Sequence, residues 1–129
     1  GFPIIAAGGM IDMKVWSITS KTDKSLEDEK KSWINGLYLN KERVFESSGV
    51  KECQDKIASG ENAYFIKSTY FRTFKNLNYH QYDVITVKGG KVYTVTINIG
   101  HSADYPNLQK ALNLDFFAWN LLSSLNLKE

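Results

Sequence analysis

Between Tyr82 and Ile97 the chain holds two β-rich runs, Tyr82–Lys88 and Lys91–Ile97, separated only by Gly89 and Gly90. A two-residue link between strands calls for a type I′ or II′ turn. Type I′ requires positive φ at both central positions, which glycine adopts without steric cost. The pair therefore specifies an antiparallel hairpin and its register, with Val84 opposite Val95, Tyr82 opposite Ile97 and Thr86 opposite Tyr93. Side chains alternate along a strand, so these pairs share one face, which is expected to be the core face. The other face carries Asp83, Ile85, Val87, Val92, Thr94 and Thr96, too apolar a set to stand in water uncovered. Lys88 and Lys91 oppose each other beside the turn and place it in solvent.

The remaining elements are read around this hairpin. The Gly- and Ala-rich stretch over 1–10 reads as a loose N-terminal segment, and Ile11–Thr19 as the first strand. Ser25 with Asp28 three residues on resembles a capping box, and Leu26, Trp33, Ile34 and Leu37 follow at helical spacing. Gly36 or Asn40 is positioned to end that helix. Arg43–Glu46 and Val50–Ile57 read as two short strands around a Ser47-Ser48-Gly49 turn. Ala63–Phe71 is strongly β, and Asn76-Leu77-Asn78 marks a break before the hairpin. Pro106 suits a first helical position, and a helix is expected from about Asn107 to Leu122. Its two apolar stripes are Leu108, Leu112, Phe116 and Trp119, then Leu114, Phe117, Leu121 and Leu125. They imply burial over a wide arc. Ser123–Leu127 is expected to return as a short edge strand. Strands and helices in this order make an α+β chain with an antiparallel sheet.

A length of 129 residues fits one domain, 1–129, with its own core. A net charge of +2 with dispersed lysines argues against nucleic acid, which needs a clustered basic face. Glu27-Asp28-Glu29 before Lys30-Lys31 reads as a solvated helix face. With one cysteine, Cys53, no intrachain disulfide forms, and cysteine usage leaves the compartment open. No apolar run reaches the roughly 20 residues of a membrane-spanning helix. The Gly1 start, in place of Met, suggests a processed or trimmed chain whose leader is absent.

The candidate chemistry is sparse. His80 and His101 lie 21 residues apart with Asp83 and Asp104 nearby, without the spacing of a structural zinc site. The hairpin register carries His80 beside Ile99 and so close to His101. The pair is thus a minor metal candidate, set against end-of-strand histidines bonded to backbone. Cys53 is either a small buried hydrophobe or a nucleophile beside an imidazole. No nucleophile elbow or phosphate-cradling glycine loop is present, and no cofactor is expected. Six rings, Tyr64, Phe65, Tyr70, Phe71, Phe74 and Tyr79, crowd one strand and its exit. Inter-layer packing explains most of them, and an exposed patch of Phe71, Phe74 and Tyr79 would mark a protein-binding surface.

The stretch from His80-Gln81 through Val87, then Gly90-Lys91-Val92-Tyr93, the loop to Tyr105 and the terminal helix resembles the PsbP family, whose founding member is an extrinsic photosystem II subunit. Gly60-Glu61-Asn62-Ala63-Tyr64 is similar to the strand opening of bacterial PsbP-like proteins. The resemblance covers about half the chain. It implies an α-β-α sandwich: a central antiparallel sheet with a C-terminal helix packed on it. It also implies a binding or assembly role without catalysis, and a bacterial cell-envelope protein that is exported or lipid-anchored. In the founding group a histidine matching His80 bonds a loop acid. Here the nearest is Asp104, at a different offset, and Tyr105 stands where the family has tryptophan. A photosynthetic role does not follow.

The expectation is a protein-binding module with an unidentified protein partner and candidate binding residues Phe71, Phe74, Tyr79, His80, His101, Asp104 and Tyr105. Two alternatives stand beside it: a small hydrolase or transferase using Cys53 or His80 and His101, and an intracellular immunity or inhibitor protein.

Overall fold

Gly89 and Gly90 lie at φ 60° and 72°, the left-handed region that a type I′ turn requires. The register they impose is the expected one: Tyr82 faces Ile97, Val84 faces Val95, Thr86 faces Tyr93 and Lys88 faces Lys91. The computed structural model describes residues 2–6, 9–40, 43–72, 75–102 and 113–127. The elements are β1 (Phe2–Ala6), β2 (Gly9–Lys21), α1 (Leu26–Leu39), β3 (Arg43–Lys56), β4 (Asn62–Arg72), β5 (Lys75–Lys88), β6 (Lys91–Ser102) and α2 (Leu114–Ser123). The six strands form one antiparallel sheet in the order β1-β2-β6-β5-β4-β3. The molecule is therefore an α+β chain built on an open antiparallel sheet with, among the described residues, two helices.

Several expectations are corrected. Phe2–Ala6 is not loose; it pairs with Gly9–Met13. Backbone groups in a ladder are satisfied whatever the side chains, so a Gly- and Ala-rich composition does not bar a strand. The two short strands around Ser47-Ser48-Gly49 are one strand, β3, with a bulge between Phe45 and Val50. Asn76-Leu77-Asn78 does not break the chain. Leu77 and Asn78 pair with Ser102 and His101, and β5 runs through from Lys75. Cross-strand partners override the low strand propensity of asparagine. Ser123–Leu127 adds no strand: Leu127 N–H bonds Ser59 Oγ at 3.0 Å, and Lys88 Nζ bonds the Leu127 carbonyl at 3.3 Å. Of the terminal helix, Leu114–Ser123 is seen; Leu108 and Leu112 lie outside the described residues.

Two apolar clusters form, and the register assigns each to its own face. Tyr82, Val84, Ile97, Ile99, Phe65 and Ala63 pack with Leu114, Ala118 and Leu122 of α2. Ile66, Ile85 and Val92 pack with Leu37 of α1, with Leu26, Trp33 and Ile34 at the margin. The α1 start is capped as the sequence suggests, Ser25 Oγ accepting from the Asp28 N–H at 3.1 Å, and Asn40 leaves helical geometry at its end. α2 buries one stripe, not two. Its inward residues follow an i, i+4, i+8 line at Leu114, Ala118 and Leu122, while Phe116, Phe117 and Leu121 are exposed.

Candidate functional site: a buried histidine pair beside helix α2

His80 sits opposite Ile99 on β5, and His101 sits opposite Asn78 on β6. The rings therefore lie diagonally on the sheet face that carries Tyr82 and Val84. They stack with centroids 5.0 Å apart and planes at 13°, and their Nε2 atoms are 2.9 Å apart. Both residues are buried. A bond between two ring nitrogens requires one donor and one acceptor, so at least one of the two imidazoles is neutral. Burial, then the neighbouring His101 and Lys67, lower the His80 pKa to about 4, against an opposing pull from Asp115. At neutral pH His80 is thus uncharged.

His80 Nδ1 is buried and has no partner among the described residues, and which ring donates across the Nε2–Nε2 contact is set by the tautomer.

Next to the pair stands a group that sequence reasoning missed. Asp115, in the first turn of α2, accepts from Lys67 Nζ at 2.7 and 3.0 Å and from the Tyr82 hydroxyl. Lys67 and Tyr82 are cross-strand partners on β4 and β5. This bridge ties α2 to the sheet, and the carboxylate also suits the positive end of the helix dipole. Trp119 stands edge-on to both Phe65 and Tyr82, with centroids 5.8 and 5.0 Å away. The only advance signal was the hairpin register, which puts Tyr82 and His80 on one face.

The opposite face holds a second polar network. Asn98 Nδ2 bonds Tyr70 Oη at 2.7 Å and Gln81 Oε1 at 3.1 Å, and Gln81 Nε2 bonds the Asp83 carboxyl at 3.2 and 3.3 Å. Thr96 donates to Asp83 as well. Burial raises the Asp83 pKa, while the hydrogen bond from Thr96 opposes the rise. Gln81 faces Asn98 and Asp83 faces Thr96 across the ladder, so the register derived from the two glycines contains this network too.

The other predicted residues scatter. Tyr79 is buried, its ring stacked on Tyr70 at 5.2 Å, so it offers no exposed ring. Phe71 is half-buried, and Phe74, Asp104 and Tyr105 lie outside the described residues. Cys53 is exposed on β3, and its thiol approaches the Gln54 carbonyl at 3.8 Å. With Phe65, Lys67, Asp115 and Trp119 it lines a groove of about 440 Å³ whose lining includes neither histidine. Among the described residues no group of three or more His, Cys, Asp or Glu is placed to hold a metal ion. No helix among them is long and apolar enough to cross a membrane. The arrangement can share or relay a proton between two rings.

No family model matches the chain, and no curated protein matches it. Among solved structures the chain is similar to the crystal structure of the Mll3558 protein from Rhizobium loti, with 9% identity, a TM-score of 0.31, and coverage of 88% of this chain and 95% of that one.

Proposed function

We propose that the chain is a non-catalytic protein-binding or assembly module, an α-β-α sandwich of the PsbP-like kind acting in the bacterial cell envelope. The observation that carries the reading is the outer face of α2. Phe116 is 68% exposed, and Phe117 and Leu121 are 44% and 47% exposed, on a helix whose inner face packs fully. Three large apolar side chains within six residues of a short helix are a contiguous patch, and such patches mark contact surfaces. Of the Phe71–Phe74–Tyr79 surface expected from sequence, Tyr79 is buried, Phe71 is half-buried and Phe74 lies outside the described residues, so the reading draws on α2.

The enzyme alternative draws on the groove beside Cys53, where Lys67 and Asp115 supply charge. That thiol has the Gln54 carbonyl as its hydrogen-bond partner, and the two imidazoles bond each other. Neither histidine lines that groove, which favours recognition over bond-making.

A photo-crosslinking residue at Phe117, with one at exposed Lys31 as reference, tests the reading in the native cells. A discrete protein adduct at 117 and not at 31 is expected. Equal background at both positions would refute it.

A further inference from the structure

Helix α1 and its cap set Trp33, Gly36, Leu37 and Asn40 on one stripe, at the i, i+3, i+4, i+7 spacing of a single helical face. Leu37 is buried in the core. Gly36 fills nothing. A Cβ built there would meet no atom within 4 Å, and its φ is not in the left-handed region. Neither packing nor backbone conformation therefore requires glycine, the poorest helix former after proline. What the missing side chain leaves is room. A cavity of about 270 Å³ lies between α1 and the sheet, with Trp16, Trp33, Gly36, Leu37, Arg43 and Gln81 in its lining. It reaches from Trp16 on β2 to Gln81 on β5, across β6, so it lies over the interior of the sheet and not at an edge.

The walls are aromatic and one end is cationic. Trp16 and Trp33 line the same cavity, yet their rings make no contact with each other. Two indole surfaces are thus available to an aromatic guest. Arg43, at the start of β3, lies over the Tyr70 ring with its guanidinium carbon 4.5 Å from the centroid. It forms no ion pair among the described residues. Stacking holds the plane of the guanidinium and leaves its N–H donors for a carboxylate. No acid among the described residues lines the cavity. Asp83, bonded to Gln81, is buried and also takes the Thr96 hydroxyl. Trp33 adds a second donor. Its Nε1–H is buried without an acceptor at hydrogen-bond distance, near enough to Asp83 to oppose the rise in that pKa but not to bond it.

We infer that this cavity binds a small aromatic carboxylate, its ring against the indoles and its carboxylate on Arg43. The size agrees: an apolar cavity of about 150 Å³ holds benzene, so 270 Å³ holds a ring with a short carboxylate arm. The inference stands apart from the protein-binding reading, which uses α2 on the other face of the sheet.

The probe is phenylacetate, with phenylacetamide and acetate as companions, added to the whole chain labelled with nitrogen-15. The readout is the indole N–H signals of Trp16, Trp33 and Trp119, assigned from single Trp→Phe variants. Phenylacetate is expected to shift the Trp33 signal saturably, with Trp16 following and Trp119 unmoved. Phenylacetamide keeps the ring and loses the charge, and is expected to bind about tenfold more weakly. Acetate, without a ring, is expected not to saturate in the same range. Arg43→Lys keeps the charge without the planar fork and is expected to weaken phenylacetate about tenfold. Gly36→Leu fills the cavity and is expected to abolish binding with an unchanged circular dichroism spectrum, leucine being the better helix former. If Gly36→Leu does not fold, Arg43→Lys and the probe comparison on the unaltered chain decide.

Absence of a saturable shift at Trp33 would overturn the proposal. So would equal affinity for phenylacetate and phenylacetamide, undiminished binding by Arg43→Lys, or full binding by a folded Gly36→Leu. A shift confined to Trp119 would place the probe in the groove beside Cys53 and overturn it as well. The Phe117 crosslink reads the other face, so either result stands without the other.

Discussion

At the residue scale the molecule is governed by buried polar side chains whose partners come from across the ladder. His80 is the sharpest case. Its pKa is lowered from 6.5 in the unfolded chain to about 4 in the fold. The unfolded chain therefore binds more protons between those values, and stability rises with pH across that window. Acidification below about pH 6.5 should progressively destabilise the fold, and the loss should be complete below about 4. The full effect is on the order of 3 kcal/mol. Denaturant titrations of the wild type and H80F from pH 4 to 7 isolate it, since the difference cancels the other titrating groups. A pH-independent difference would contradict the buried neutral imidazole. Gly100 makes a second test. A Cβ there would lie 2.8 Å from Tyr79 Cε1, in a ring already stacked on Tyr70. Gly100→Ala should cost about 1–3 kcal/mol by overpacking, measured as a lower denaturant midpoint.

At the element scale α2 and the Gly89-Gly90 turn carry the argument. Leu122 is 2% exposed, whereas Phe116 on the same helix is mostly in solvent. Leu122→Ala should therefore cost about 2–5 kcal/mol, and Phe116→Ala less than about 0.5 kcal/mol. Equal losses in thermal unfolding would mean that the helix presents a different face to the sheet. The turn glycines occupy left-handed backbone, where an added Cβ is strained. Gly89→Ala should lose about 1–2 kcal/mol although nothing lies near the new methyl group, an effect of conformation alone.

At the scale of the whole molecule, legibility tracked how local the determinant was. The hairpin register, the Ser25 cap and the meeting of His80 with His101 were readable because two glycines or one hydroxyl decide them within a few residues. Leu77–Asn78 was misread because ladder bonds to partners remote in sequence make that strand, and Phe2–Ala6 because its pairing with Gly9–Met13, though local, is made by backbone groups that composition does not record. The double stripe on α2 failed for a related reason. Periodicity says which positions are apolar, but the sheet beneath decides how wide an arc it covers. Asp115 was invisible as a partner because its bonds to Lys67 and Tyr82 span 48 and 33 residues. Only the sites whose pairing follows from the Gly89-Gly90 register were within reach of sequence reasoning.

The central claim is that recognition resides on the outer face of α2 and not at the thiol or the imidazoles. Crosslink yield at Phe117 tests it most directly when compared between a Phe116→Asp/Leu121→Asp variant and Cys53→Ser. Loss of the partner adduct in the first and retention in the second is the predicted result. Retention in the first with loss in the second would contradict the account.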